Sequence, residues 1–521
     1  MLTVSQAFTT ALSNVNRIWK TKVTVTRNYT GAVPLDISDR VVSCTIDYDW
    51  EKRNAQASLE LDNFDFSLSP LNQSSATNYV GAVFDPLLDS NHTIEIYEGL
   101  VTTNGVEYLK KFTGVLGDEI DIDTYPGTVQ LTARDMSKLL QDTYIYQSKT
   151  YSVGSGNALP IAENVIKDLI LTFLPSGNIV VSVDSPTNYV VGKPDSPYTA
   201  KDINLWDAIQ QISDAFNFSV MFDEGGVLRL KAIVRDLSTV APVYSFNEAL
   251  MVSDRASTSD SDVRNHVMLR VQGLDIIEKT NDDSIAKYGR RYFEITRSMA
   301  NIIKTAEDGH RLVDSILQDL SYVTPVNKVE LPLFPIIQVG DVVSVVNTRI
   351  GTDAATYRYR VTSVRDTLSA DKKRTSLSLQ GYNIFNPSTV PAPKAPTLLS
   401  GSTISRSIQN YPNSGWSGNT RSTYYPLVVW TPPVQDVSGN AITANFGGYT
   451  IYRKGPGDTG YYPTASIKSY NQATGTYVNY WYDYTAIPGV NQYKMVAINK
   501  TGKVSAESSV LNITKPNDTI I

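Results

Sequence analysis

Hydrophobic and polar residues alternate with a period of two through much of this chain, most plainly from Val329 to Gly381. Val329, Leu331 and Leu333 alternate with polar or turn residues, Gly340-Asp341 makes a tight turn, and β-branched residues dominate Val342 to Val346. Tyr357, Tyr359 and Val361 fall on one face, with Arg358, Arg360 and Thr362 on the other. Beyond the charged connection 370–374, Leu377 and Leu379 alternate with Ser376 and Ser378. The pattern predicts a small antiparallel β-barrel. The same period recurs at 22–26, 41–50, 55–61, 93–97, 111–123 and 128–133, which predicts a first barrel or sandwich over residues 20–137. Residues 63–89 are irregular and rich in Ser, Asn and Pro, as in a long surface loop.

Between these regions the period changes to that of a helix. Helices are predicted over 5–19, with Phe8, Leu12, Val15 and Ile18 on one side, over 162–173, and over 203–216, where Leu205, Ile209, Ile212 and Phe216 share a face. The last of these feeds a hairpin over 219–231, an α+β signature. Another helix starts at Thr305, with Asp308 at N3 and Leu312, Ile316 and Leu320 on one face. The expected fold is mainly β with an α+β insert: two tube-like β-barrels, one α+β domain and a C-terminal immunoglobulin-like sandwich. Residues 1–137 form the first barrel, 138–240 and 276–323 the α+β domain, and 241–275 with 324–385 the second barrel. Residues 386–398 are a linker whose four prolines let the last unit move, and residues 399–517 form the sandwich.

Composition narrows the function. The chain has 521 residues and a net charge of -6, which gives no support to a basic nucleic-acid surface. A single cysteine, Cys44, excludes intrachain disulfides and multi-cysteine zinc sites. No apolar signal segment precedes Arg17, and no apolar run approaches the length of about 18 residues needed for a membrane span. The three histidines, His92, His266 and His310, are far apart, and no G-x-S-x-G elbow accompanies them. Asp118, Glu119, Asp121 and Asp123 lie along one strand, and Asp282-Asp283 reads as a loop. Neither places two carboxyls across a cleft, as a glycosidase needs. Ser259-Asp260-Ser261-Asp262 lacks the glycine and final glutamate of a calcium loop. No catalytic residue, cofactor or metal is expected.

Two resemblances add to this. Leu427 to Pro433, Gly448 to Arg453 and Tyr493 through Asn499 to Gly502, with Ser505 and Ser508, resemble a fibronectin type III domain. In that family Trp430 would be the core tryptophan and Tyr493 the corner tyrosine. The first 385 residues are similar to bacteriophage baseplate hubs, the family shared by contractile-tail hubs and the N-terminal part of siphophage tail-associated proteins. The likeness rests on Phe112 to Val115 leading to Val129 through Asp135 and Leu139-Leu140, on Leu205 to Ile209 with the hairpin Phe218 to Leu230, and on His310 to Leu320 running into Gln338 to Val343.

The hub resemblance implies a homotrimer whose two barrels per chain make a pseudo-sixfold ring at a virion's tail tip or baseplate. The ring would continue the tail tube, or meet a distal tail protein, and connect to a tip, spike or tape-measure protein. A DNA channel should not bind phosphate, so the candidate lining is acidic: Glu119, Asp121 and Asp123, with Asp47 and Asp49, each set opposite apolar neighbours on its strand. The other reading of these carboxylates is an ordinary solvated outer face. Tyr424, Tyr425, Tyr461, Tyr462, Tyr480 and Tyr482 are candidates for binding a host-surface glycan, or are ordinary sandwich residues. The rival functions are a tail-tip adhesin or carbohydrate-binding protein and a tail-associated cell-wall hydrolase.

Overall fold

The computed structural model describes residues 2–14, 16–26, 33–65, 68, 91–123, 125–152, 160–175, 179–184, 189–192, 197–237, 240–271, 276–296, 301–346, 358–381, 392–408, 421–442, 446–468, 470–471, 476–499, 503–517 and 519–520. Its largest element is a single sheet of 13 strands. From one edge to the other the path runs Ser253–Ser257, Val326–Pro332, Lys373–Gln380, Arg358–Ser369, Val41–Asp49, Asn54–Asp62, Thr128–Asp135, Gly105–Asp123, Thr93–Thr102, Trp19–Thr26 and Leu35–Asp36. Val342–Val346 branches off Arg358–Ser369 and carries Tyr244–Asn247 on its far side, paired in parallel.

The joint is the strand Arg358–Ser369. Its start pairs with Val342–Val346, and its end pairs with Val41–Asp49 from Ser363 opposite Asp49 to Ser369 opposite Ser43. The alternation on Val41–Asp49 turns Cys44, Ile46 and Tyr48 inward, and Val364 and Leu368 turn inward beside them. One hydrophobic core therefore runs from Phe8, Val23 and Ile94 through Ile46 to Val343, Leu377 and Leu379. The sequence pattern predicts two β-barrels. The strands of the two β halves share one sheet and one core, because an edge strand with an apolar face gains most by pairing.

The α+β unit has its own core, built from the helices Ala162–Phe173 and Leu205–Phe216, the hairpin Phe218–Phe222 and Leu228–Ala232, and the helix Ala306–Leu320. Asn204 caps the second helix by accepting from the Asp207 N–H at 2.7 Å, and Thr305 caps the last by accepting from Asp308 N–H at 3.0 Å. Three expectations need correction here. His266–Leu269, placed by sequence with the second barrel, pairs with Ile277–Thr280 and Tyr292–Glu294, and Val267 and Leu269 join the α+β core against Leu312, Val313 and Leu317. Asp282 and Asp283 are not a loop; they open the helix Asp282–Tyr288, where their charge favours the N-terminal end of the helix dipole. The first helix is only Gln6–Ser13, and Ile18 beyond it is exposed.

The C-terminal unit is built on two four-stranded sheets, with a further two-stranded pair of Tyr470–Asn471 and Thr476–Tyr477. One holds Thr397–Ile408, Arg421–Thr431, Tyr480–Tyr482 and Thr519–Ile520, and the other Tyr462–Lys468, Phe446–Lys454, Gly489–Asn499 and Leu511–Lys515. Trp430 is buried between them, edge-on to Tyr449 with ring centroids 5.0 Å apart. Tyr493 is buried as well, and its hydroxyl donates at 2.8 Å to the Asp483 carboxylate, which also holds Arg453 at 2.8 Å. A fibronectin corner tyrosine would bond backbone instead, and this chain supplies a buried ion pair in its place.

The Pro-rich segment is not a free tether throughout. Residues 386–391 lie outside the described residues, but Lys394 N–H donates to Gln435 O at 3.0 Å and Val437 N–H to Ala392 O at 3.0 Å, which ties the segment's second half to the sandwich. The sandwich also touches the α+β unit: Tyr452 Oη donates to Glu307 Oε2 at 3.3 Å, and Ser466 Oγ to Lys304 O at 3.5 Å.

Candidate functional site

The fold turns one polar face of the 13-stranded sheet outward across both halves. Register gives a row across seven strands: Arg134, Gln56, Asp47, Arg365, Ser376, Glu330 and Ser253. Asp121 lies on the same face, opposite Gln130, which is in turn opposite Glu60 and then Ser43. All of these side chains are exposed or half-buried. The candidate carboxylates Asp47, Asp49, Asp121 and Asp123 are thus brought to one sheet face, but not as a uniformly acidic one. Arg365 binds Asp47 with Nη2 at 2.5 Å and Nε at 3.1 Å. Asp49 is engaged at the end of its strand, accepting from the Glu51 and Lys52 N–H groups at 2.9 and 3.1 Å. Asp123 accepts from Tyr125 N–H at 3.1 Å in the next turn. The side chain of Glu119 lies outside the described residues, and its backbone falls where the register between the two strands shifts.

Behind this face, on the inward side, sits a cluster of charge that sequence reasoning missed. Lys111 of the first half is buried, with Nζ 3.0 Å from Asp366 Oδ2 of the second half and donating to Pro335 O at 2.6 Å. The other Asp366 oxygen accepts from Thr375 Oγ1 at 2.5 Å, and Tyr48 Oη donates to Lys111 O at 2.7 Å. Glu98, also buried, leaves Oε2 without a hydrogen bond among the described residues. Burial, aided by the Asp366 charge and opposed by Lys111, pushes its carboxyl up to about 8. Lys111 is pulled down by burial but is held above its ordinary range by Asp366, Glu98 and Glu224. The α+β hairpin reaches the same place: Glu224 accepts from Gln338 Nε2 at 2.7 Å, and Thr113 Oγ1 donates to Glu224 O at 2.9 Å. All three units therefore meet at one set of polar contacts. Beside it a cavity of about 330 Å³ is lined by Tyr48, Trp50, Asp223, Glu224, Arg229 and Asp341 among others. Gly340 at its rim has a φ of +87°, and a Cβ there would stand 3.0 Å from the Trp50 ring, so the turn favours glycine.

Glu98 makes stability depend on pH. Its folded pKa lies above its ordinary value of 4.5, so the folded state keeps a proton that the unfolded chain releases. The group's contribution is fully present below about 4.5 and is lost as pH rises towards about 8. Glu98→Gln should flatten that slope. In urea unfolding, the difference between variant and parent should change by a few kcal/mol between about pH 5 and 8, because each tenfold change in proton affinity is worth about 1.4 kcal/mol. A constant difference across that range would show that Glu98 does not titrate there.

The remaining candidates divide. Tyr462 is buried, accepting from Arg453 Nε at 3.0 Å, and Tyr461 lies under the Lys494 ammonium, 4.3 Å from the ring centroid. Neither is part of an open aromatic surface. Tyr425, Tyr480 and Tyr482 do come together, joined by Tyr484, which the set of candidate tyrosines does not include. Tyr424 is half-buried on the same strand as Tyr425. His266 is held by Glu278 at 2.6 Å, and burial with the Lys279 charge pulls His310 down to about 3. Asp260 pairs with Arg291 at 2.8 Å. Among the described residues no three His, Cys, Asp or Glu side chains are grouped to hold a metal, and no helix is long and apolar enough to cross a membrane.

No family model matches the chain, and no curated protein matches it. Solved structures do. A tail protein from Neisseria meningitidis MC58 aligns at 14% identity over 70% of this chain and 96% of its own, with a TM-score of 0.47. The 43 kDa tail protein of prophage MuSo2 from Shewanella oneidensis aligns at 12% identity over 69% and 97%, with a TM-score of 0.46. The prophage tail protein gp18 from Listeria monocytogenes EGD-e aligns at 12% identity over 69% and 94%, with a TM-score of 0.43.

Proposed function

We propose that this chain is a structural, non-enzymatic component of a phage-type tail. It acts as a hub at the tail tip or baseplate, with its C-terminal sandwich, similar to a fibronectin type III domain, as a module for outward contact. The observation that carries this is the joint at Arg358–Ser369, where two β halves are knit into one sheet with a continuous polar face. A chain built this way suits a wall: apolar side chains on one side hold it together, and the other side stays wet. Three copies would supply six β halves, the number needed to continue a hexameric tube.

In this reading the neighbours are a tail tube or distal tail protein on one side and a tip, spike or tape-measure protein on the other. Asp47, Asp49, Glu119, Asp121 and Asp123 lie on strands that face the channel. The row of Arg134, Asp47, Arg365 and Glu330 changes the electrostatic argument. A lining in which Asp47 holds Arg365 leaves that cation less free to take up a phosphate, which serves DNA passage as net acidity does. The test is the mass of the purified protein in solution, by sedimentation equilibrium or native mass spectrometry. A three-chain species is expected, and a stable monomer at micromolar concentration would defeat the ring.

A further inference from the structure

The C-terminal sandwich carries an open aromatic strip on the sheet opposite its contacts with the α+β unit. Those contacts, through Tyr452 and Ser466, come from the sheet containing Phe446–Lys454 and Tyr462–Lys468. On the other sheet the strand Tyr480–Tyr482 turns Trp481 inward, where it packs against the core, and Asp483 after it is fully buried. Tyr480, Tyr482 and Tyr484 take the alternate positions and face outward. Tyr480 is 52% and Tyr484 56% exposed.

The rings form a connected line. Centroids lie 5.8 Å apart for Tyr480 and Tyr482, 6.1 Å for Tyr482 and Tyr484, and 4.9 Å for Tyr484 and Tyr425. The interplanar angles are 74°, 35° and 66°, so no ring is covered face to face by the next. Leu427 and Val429 stand beside them, opposite Tyr482 and Tyr480, with the exposed Ser402 one strand further on. None of these side chains carries a charge. None of the hydroxyls of Tyr425, Tyr480, Tyr482 and Tyr484 has a hydrogen-bond partner among the described residues.

We propose that this strip binds a neutral glycan. The chemistry matches on three counts. The electron-rich ring faces suit the C–H face of a pyranose. The phenol hydroxyls and Ser402 can exchange hydrogen bonds with sugar hydroxyls. The absence of charge removes any attraction for an acidic or basic partner. The inference rests on the sandwich being the module for outward contact and is independent of the trimeric ring.

Native electrophoresis of the full chain through gels containing a soluble glucan, galactan or mannan, with an anionic polysaccharide and an empty gel alongside, tests it. Retardation in at least one neutral gel is expected. Tyr480→Ala with Tyr484→Ala should weaken it by about tenfold, the value of two lost stacking contacts, while Tyr480→Phe with Tyr484→Phe keeps most of the effect. The melting temperature should be unchanged in both variants, since the rings lie outside the core. No retardation in any neutral gel, retardation in the anionic gel alone, or equal retardation of the double alanine variant would overturn the proposal. A change in sedimenting mass in that variant would also overturn it, by assigning the strip to protein contact and leaving the outward-contact reading in place.

Discussion

Lys111→Met is expected to destabilise the joined β halves by about 3 to 5 kcal/mol, the usual cost of removing one partner from a buried ion pair. The side chain is only 1% exposed, as is that of Asp366, so water cannot replace the lost ammonium. Asp366 would keep its bond from Thr375, but its charge would lose the buried cation that faces it. Removing both charges should be milder. In Lys111→Met with Asp366→Leu much of the loss should return, since an apolar pair of similar volume replaces a desolvated one. Urea unfolding of the two single variants and the double closes the cycle. A single-variant loss below about 1 kcal/mol, or a double variant as weak as the sum of the singles, would show that the pair does not hold the halves together.

Trp430→Ala should abolish the separate unfolding transition of the C-terminal sandwich while leaving that of the rest of the chain in place. Deleting a buried tryptophan costs about 3 to 5 kcal/mol, close to the full stability of a small domain. Trp430 meets Tyr449, and Tyr449 meets Phe446 at 5.0 Å, so the deletion opens a cavity against Tyr449 and loosens Phe446 behind it. Scanning calorimetry checks it: a C-terminal transition that persists unshifted would place the core elsewhere.

Strand segments are legible where the two faces of a strand differ sharply. Val41–Asp49, Asn54–Asp62 and Thr128–Asp135 match the alternation to within a residue or two, and so does Ala162–Phe173 for the helical period. The hairpin of Thr93–Thr102 and Gly105–Asp123 is longer than its alternation predicts, because Glu98 and Lys111 put charges at inward positions and break the pattern. That break is itself the signal. A glutamate in step with Ile94, Ile96 and Leu100, and an aspartate in step with Val364 and Leu368, mark a buried polar contact before any partner is known.

The candidate face is legible one strand at a time, since alternation alone puts Asp47 and Asp49 together and Asp121 and Asp123 together. What local pattern does not supply is the register that sets Arg365 against Asp47, 318 residues away. Nor does it reveal that Arg453 draws Tyr462 into the interior while Tyr484, in a turn just past its strand, joins the open rings.

The joint at Arg358–Ser369 also sets a timetable for synthesis. Val41–Asp49 leaves the ribosome early, but the strand that covers its edge follows 318 residues later. At about 5 to 20 residues per second that is a wait of roughly 15 to 60 seconds. During it the first half can fold, yet it carries an open row of backbone donors and acceptors beside Cys44, Ile46 and Tyr48. Two nascent chains on one messenger could pair these edges with each other. The hazard for this protein therefore lies in the elongation rate and the crowding of its ribosomes, and a slower or sparser translation regime trades one against the other.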